Sequence, residues 1–243
     1  MSLNTDQQRL LEAAAAAVKT AWCEQWMMIE EEDKTIAAEY LMTTSVARGL
    51  SAVAGGRVRI ERLVGRAFRN AIVRGMCNTP VPAACGQGRI DVLVSEDSLG
   101  FKPYCLVELK REFKRPAIES DADRIARLIG HTGPKLPDIF GFCLFPLFPA
   151  PAETSPHDYE SSQKVEREKV IFLRDALAAS HPNLLITVQN FPECSVTRPS
   201  VVAETYDDGT EELVWDTAGF QMEPAAIVIQ KEARIEKLDT ASD

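Results

Sequence analysis

The chain reads as an α/β protein with a central mixed β-sheet flanked by helices. Three observations predict this. From residue 34 to residue 148 the apolar pattern runs helix, strand, strand, strand, helix, strand. Two of those strands, Arg89 to Val94 and Tyr104 to Lys110, are nearly continuous runs of strand formers, as expected of strands covered on both faces. A third run, Asp138 to Phe148 (DIFGFCLFPLF), is equally apolar and reads as a buried strand.

The elements can be justified in order. Asp6 to Ile29 predicts a helix, because Leu10, Leu11, Ala14, Val18, Trp22 and Trp26 recur at three- and four-residue steps and alanines fill the rest. Trp22 and Trp26 suit core or partner-helix contacts, with stacking on bases as the alternative. After the acidic break Glu30-Glu31-Glu32-Asp33, a second helix is expected over Lys34 to Val53, with Ile36, Tyr40, Ala47 and Leu50 as its buried stripe and Glu39 beside that stripe. Gly55-Gly56 ends it. Arg57 to Val64 alternates as a strand with one polar face, and Gly65 to Met76 predicts a short helix carrying Phe68, Ile72 and Met76. Beyond the two central strands, Ser120 can cap a helix over Asp121 to Ile129, with Ile125, Leu128 and Ile129 apolar and Arg124 and Arg127 on the other flank.

Pro149 to Asp158 is Pro-rich and reads as an exposed loop. Glu160 to Ser180 follows as an amphipathic helix with Val165, the stem of Lys169, Phe172, Leu173, Ala176 and Leu177 inward. Leu184 to Val188 predicts a strand, Val201 to Trp215 a hairpin around Asp207-Asp208-Gly209, and Ala225 to Ile229 a last strand. The charged end, residues 231–243, is expected to fray. The whole is read as one domain, with a core over about 34–148 and an extension over 149–230.

Composition narrows the function. The chain has 243 residues, with 45% hydrophobic and 26% charged, as in an ordinary soluble globular protein. No apolar run approaches the roughly 20 residues of a membrane helix, and the N-terminus lacks a signal-peptide pattern, so a cytoplasmic location and no membrane partner are expected. The six cysteines form no Cys-x-x-Cys pair and the three histidines do not cluster near them, which argues against zinc and for a reducing compartment. The net charge of −9 argues against a generic nucleic-acid coat. Yet residues 45–90 hold eight arginines against one acid, and Lys110 to Arg115 adds a second basic cluster. Local basic surface on an acidic chain suits a phosphate-bearing ligand.

The central hairpin carries the candidate chemistry. Its connecting loop, Ser95 to Pro103, is rich in turn formers. Folding between Leu99 and Gly100 sets Asp91 opposite Glu108, with Cβ atoms roughly 5 Å apart. Glu108 and Lys110 share one face, while Val107 and Leu109 point to the other. Two carboxylates so placed repel unless a cation joins them, a role open to Lys110 and a divalent metal.

An Asp on one strand followed by Glu-x-Lys on the next resembles the PD-(D/E)xK nuclease superfamily, with its restriction-endonuclease-like fold. The residues that carry the resemblance are Asp91, Glu108 and Lys110, with Glu39 upstream; Ile90 stands where the family often has Pro. The resemblance covers roughly residues 34–148 and implies an αβββαβ core, to which the N-terminal helix and the C-terminal helix and strands are additions. It implies catalytic Asp91, Glu108, Lys110 and Glu39, with Glu61 as the rival for the fourth acidic role. Asp91, Glu108 and the carbonyl of Leu109 would hold Mg²⁺ or Mn²⁺, and Arg89 and Arg111 would take flanking phosphates. The activity implied is metal-dependent hydrolysis of nucleic acid, DNA foremost, in repair, restriction or phage defence, by a homodimer or within a larger complex. A non-catalytic nucleic-acid- or protein-binding module, or a complex subunit that kept the fold, is the alternative.

Overall fold

The computed structural model describes residues 3–28, 39–66, 68, 88–97, 102–132, 136–147, 156–197, 200–205, 209–216 and 221–232. Helix α1 (Thr5–Met28) starts where Asn4 and Gln7 cap each other: the Gln7 N–H donates to Asn4 Oδ1 (2.9 Å) and the Asn4 N–H to Gln7 Oε1 (3.0 Å). The Gln7 amide also donates to the Asp138 carbonyl at 3.0 Å, which ties this end to the sheet. Helix α2 (Glu39–Val53) crosses α1 closely, since a Cβ on Gly49 would stand 2.9 Å from the Ala17 Cβ. The alanines of α1 therefore make room as well as favour helix. Of the second predicted helix, residues 34–38 lie outside the described residues.

Six strands form a mixed sheet in the order β1 (Arg57–Leu63), β2 (Arg89–Ser95), β3 (Pro103–Leu109), β4 (Phe140–Leu147), β9 (Gln221–Lys231), β5 (Leu184–Asn190). β3 and β4 are parallel and the other neighbours antiparallel. The short β6 (Val196–Thr197) pairs with β9, and β7 (Ser200–Thr205) pairs with β8 (Glu211–Asp216) as a separate ribbon. β9 runs from Gln221 to Lys231, past both ends of the expected strand, and its Lys231 ammonium donates to the Leu136 carbonyl at 2.8 Å. Residues 233–243, the rest of the expected frayed end, lie outside the described residues, as does most of the helix expected over Gly65 to Met76.

Alternation divides the core between the two faces. Val92, Val94, Val107, Leu109 and Phe142 pack with α1 and α2. Leu93, Leu106, Cys143, Phe145 and Ile227 pack with α3 (Arg115–His131) and α4 (Pro156–Ser180). Both α3 and α4 begin earlier than the sequence suggested. Pro116 lies in the first turn of α3, where a missing N–H costs nothing, so the helix starts five residues before Ser120's proposed cap and Ser120 becomes an exposed interior residue. Pro156 opens α4 in the same way. On α4 Leu173 and Leu177 are buried as expected, but Val170 joins them in place of Val165 and Phe172, which are exposed, Phe172 lying under the Arg115 guanidinium at 4.7 Å. On α2 the buried stripe is Met42, Val46 and Leu50, and Tyr40 is 57% exposed. No helix among the described residues is long and apolar enough to cross a membrane.

Candidate functional site

The hairpin register puts Val92 opposite Val107, Leu93 opposite Leu106 and Val94 opposite Cys105. The same register carried one step further sets Asp91 opposite Glu108. Asp91 does not continue the ladder with its backbone. Its Oδ2 accepts the Leu109 N–H at 2.8 Å, so the carboxylate is held over the end of β3. Lys110 is fixed from the other side, its N–H donating to the Leu144 carbonyl at 3.0 Å. These contacts place Asp91, Glu108 and Lys110 on one cleft of about 290 Å³, also lined by Thr43, Glu61, Arg89, Asp121 and Arg124, with Tyr40 at its edge.

Two of these residues, Asp121 and Arg124, escaped the sequence reading. Arg124 Nη2 donates to Glu108 Oε1 at 2.5 Å and to Asp121 Oδ1 at 3.0 Å, and Asp121 Oδ2 accepts from the Lys110 ammonium at 2.6 Å. The expectation that Arg124 lies on the outer flank with Arg127 is therefore corrected. Arg127 does face outward, pairing with Asp123 at 2.7 Å, but Arg124 reaches back over the sheet end. The missed signal was an acid, Asp121, inside the stripe Ile118, Ala122, Ile125 and Ile129. An acid in a buried stripe needs a partner.

Electrostatics single out Glu108. Its side chain is 2% exposed, and burial pushes its carboxyl up to about 9, with the Asp91 charge adding to the rise and the Arg124 guanidinium opposing it. Arg124 is held above its ordinary value by Glu108 and Asp121 against its own desolvation. Burial likewise pushes the thiols of Cys105 and Cys143 up, as befits small core residues.

The other sequence candidates fall as follows. Glu61 stands between the pairs Ile60–Val92 and Arg62–Ile90, hence across from Asp91, with φ +50°, an uncommon left-handed backbone for a residue with a side chain. It lines the cleft and pairs with Arg89 at 3.2 Å. Arg111 is exposed and pairs with Glu112 at 3.6 Å, away from the cleft lining. Leu109 is fully buried on the α1 and α2 face. Glu39 is the first residue of α2, and its side chain lies outside the described residues, as does that of Trp26.

Among the described residues, no group of three or more His, Cys, Asp or Glu side chains is gathered for a metal ion. Two carboxylates are nevertheless a sufficient set for a hard ion that keeps most of its waters. Asp91 and Glu108 offer oxygen donors only, and Asp91 stands close enough to add to the upward push that burial gives Glu108. The donor set fits Mg²⁺ or Mn²⁺ and does not fit a soft metal. Compared with known proteins, the chain matches no family model, no curated protein and no solved structure.

Proposed function

We propose that the protein is a metal-dependent nuclease that hydrolyses phosphodiester bonds of nucleic acid, DNA foremost. The observation that carries this reading is the meeting of Asp91, Glu108 and Lys110 on one cleft through a hairpin register and a strand end. The order α2, β1, β2, β3, α3, β4, with β3 and β4 parallel, supports a restriction-endonuclease-like core.

A bound divalent ion offsets phosphate charge and lowers the pKa of water. The chain's residues do the rest. Asp91 and Glu108 would hold the ion, with the Leu109 carbonyl and Glu61 or Glu39 as the further candidate ligands. Lys110 donates from its ammonium to the attacking water or to the oxygens that gain charge as the phosphorus becomes five-coordinate. To do so it leaves Asp121, which can receive it back. Arg89, exposed on the cleft rim, is placed for a flanking phosphate, and Arg111 for a more distant one.

One observation favours a second reading. Lys110 pairs with Asp121, and Arg124 with both Asp121 and Glu108, a network that would also suit a non-catalytic nucleic-acid- or protein-binding module. The deciding experiment incubates the purified protein with single- and double-stranded DNA and RNA in Mg²⁺ or Mn²⁺, beside Asp91→Ala and Lys110→Ala. Cleavage by the parent that both variants lose supports the nuclease. Cleavage that survives in both refutes the site. Nucleic-acid binding without cleavage favours the second reading.

A further inference from the structure

Arg124 has more to do than complete a network. It springs from α3 and spans the cleft to a β3 carboxylate, so it joins the helical layer to the sheet end. One nitrogen, Nη2, serves both Glu108 and Asp121. Its Nε is buried and has no hydrogen-bond partner, an unmet donor on a charged group. The edge formed by Nε and Nη2 is one that a guanidinium uses for two-point contact with a phosphate or carboxylate, and here its Nη2 is taken by the two carboxylates. Gly88 lies against this same group: a Cβ there would stand 3.0 Å from Nη1 and 3.3 Å from Cδ. The neighbour most able to block a swing of the side chain therefore has no side chain itself. The guanidinium also reaches solvent, with the side chain 23% exposed on the cleft wall.

We propose that Arg124 is the site's internal counter-ion: it holds Glu108 in the metal-free protein, yields it to a divalent cation, and turns its guanidinium to a phosphate of the bound strand. This rests on the reading of the cleft as a cation site. Glu108 exchanges its hydrogen bond from Arg124 for contact with a dication that Asp91 shares. Arg124 keeps Asp121, three residues back on its own helix, as an anchor about which it turns. The phosphate then takes the Nε–Nη2 edge that Glu108 has left. The residue thereby couples cation uptake to strand binding, and the strand is held well only once the ion is in place.

The test is a calorimetric titration of the full chain with Mn²⁺, without nucleic acid, comparing the parent with Arg124→Met and Arg124→Gln. Removing the competitor should tighten Mn²⁺ binding about tenfold, the change expected for loss of one charged hydrogen bond. In a Lys110→Ala background, which blocks turnover, Mn²⁺-dependent binding of a fluorescent DNA oligonucleotide should weaken about tenfold when Arg124 is also replaced. Equal or weaker Mn²⁺ binding in both Arg124 variants overturns the counter-ion role, while the cation site itself stands if the parent binds Mn²⁺ and Asp91→Ala does not. No Mn²⁺ binding by the parent or either variant overturns both readings. Unchanged DNA binding overturns the phosphate contact. A measurement on the unsubstituted chain guards against unfolded variants: the Arg124 Nε–H resonance should shift on adding Mg²⁺ and again on adding the oligonucleotide. A resonance indifferent to Mg²⁺ overturns the inference.

Discussion

Replacing Glu108 with Gln tests whether burial keeps this carboxyl protonated in the fold. Glu108 ordinarily ionises near 4.5, and in the fold burial and Asp91 raise this to about 9. Between those values the folded chain keeps a proton that the unfolded chain has released. Stability is therefore fully present below pH 4.5 and is lost as pH climbs toward 9. The slope has an upper bound of about 1.4 kcal/mol per pH unit, so from pH 5 to pH 8 the loss is at most about 4 kcal/mol. Gln keeps the shape and has no proton to lose. Urea unfolding followed by tryptophan fluorescence, without divalent ions, should show Glu108→Gln gaining on the parent steadily across pH 5, 6.5 and 8. Saturating Mg²⁺ should flatten the parent's profile, because a cation holds the carboxylate ionised in the fold. Parallel profiles for parent and variant would refute the reasoning. They would mean that the Arg124 guanidinium outweighs burial and keeps Glu108 ionised in the fold across this range.

Three other changes follow from particular contacts. Glu61→Gly should raise the urea midpoint by about 1 kcal/mol of stability, since the left-handed backbone at φ +50° suits glycine, whereas Glu61→Val should lower it. Gly141→Ala should destabilise by about 2 kcal/mol, because its Cβ would meet the Leu106 carbonyl at 2.9 Å and the Ile125 Cγ2 at 2.6 Å where α3 packs on β3 and β4; an unchanged denaturation midpoint would contradict this. Arg167→Ala should cost about 3 kcal/mol in the same assay by stranding the buried Glu223 carboxylate, which it now holds through contacts of 2.9 and 2.8 Å to the two oxygens.

What could be read in advance divides along a physical line. The described strands begin and end within a few residues of where side-chain alternation put them, because alternation is a property of adjacent residues. The pairing of Asp91 with Glu108 was legible for the same reason: a hairpin turns local sequence into a cross-strand neighbour. Arg124 was not legible. Its partner lies 16 residues away, on a different element, and the contact depends on how α3 docks over the sheet end. The late start assigned to α3 came from taking Ser120 as the cap, whereas Pro116 in the first turn marks the beginning. On α4 Leu173 and Leu177 were placed inward correctly, but apolar residues lie all round that helix, so periodicity alone could not choose Val170 over Val165 and Phe172.

The place of β9 in the sheet has a consequence for biosynthesis. It is the last strand among the described residues, yet it fills the gap between β4 and β5. At ordinary ribosomal speeds of about 5–20 residues per second, the roughly 70 residues between β4 and β9 take several seconds to emerge. Through that interval FGFCLFPL waits with one edge unpaired, a sticky template for other nascent chains. Products truncated before Gln221 should therefore precipitate even though they retain every residue of the cleft.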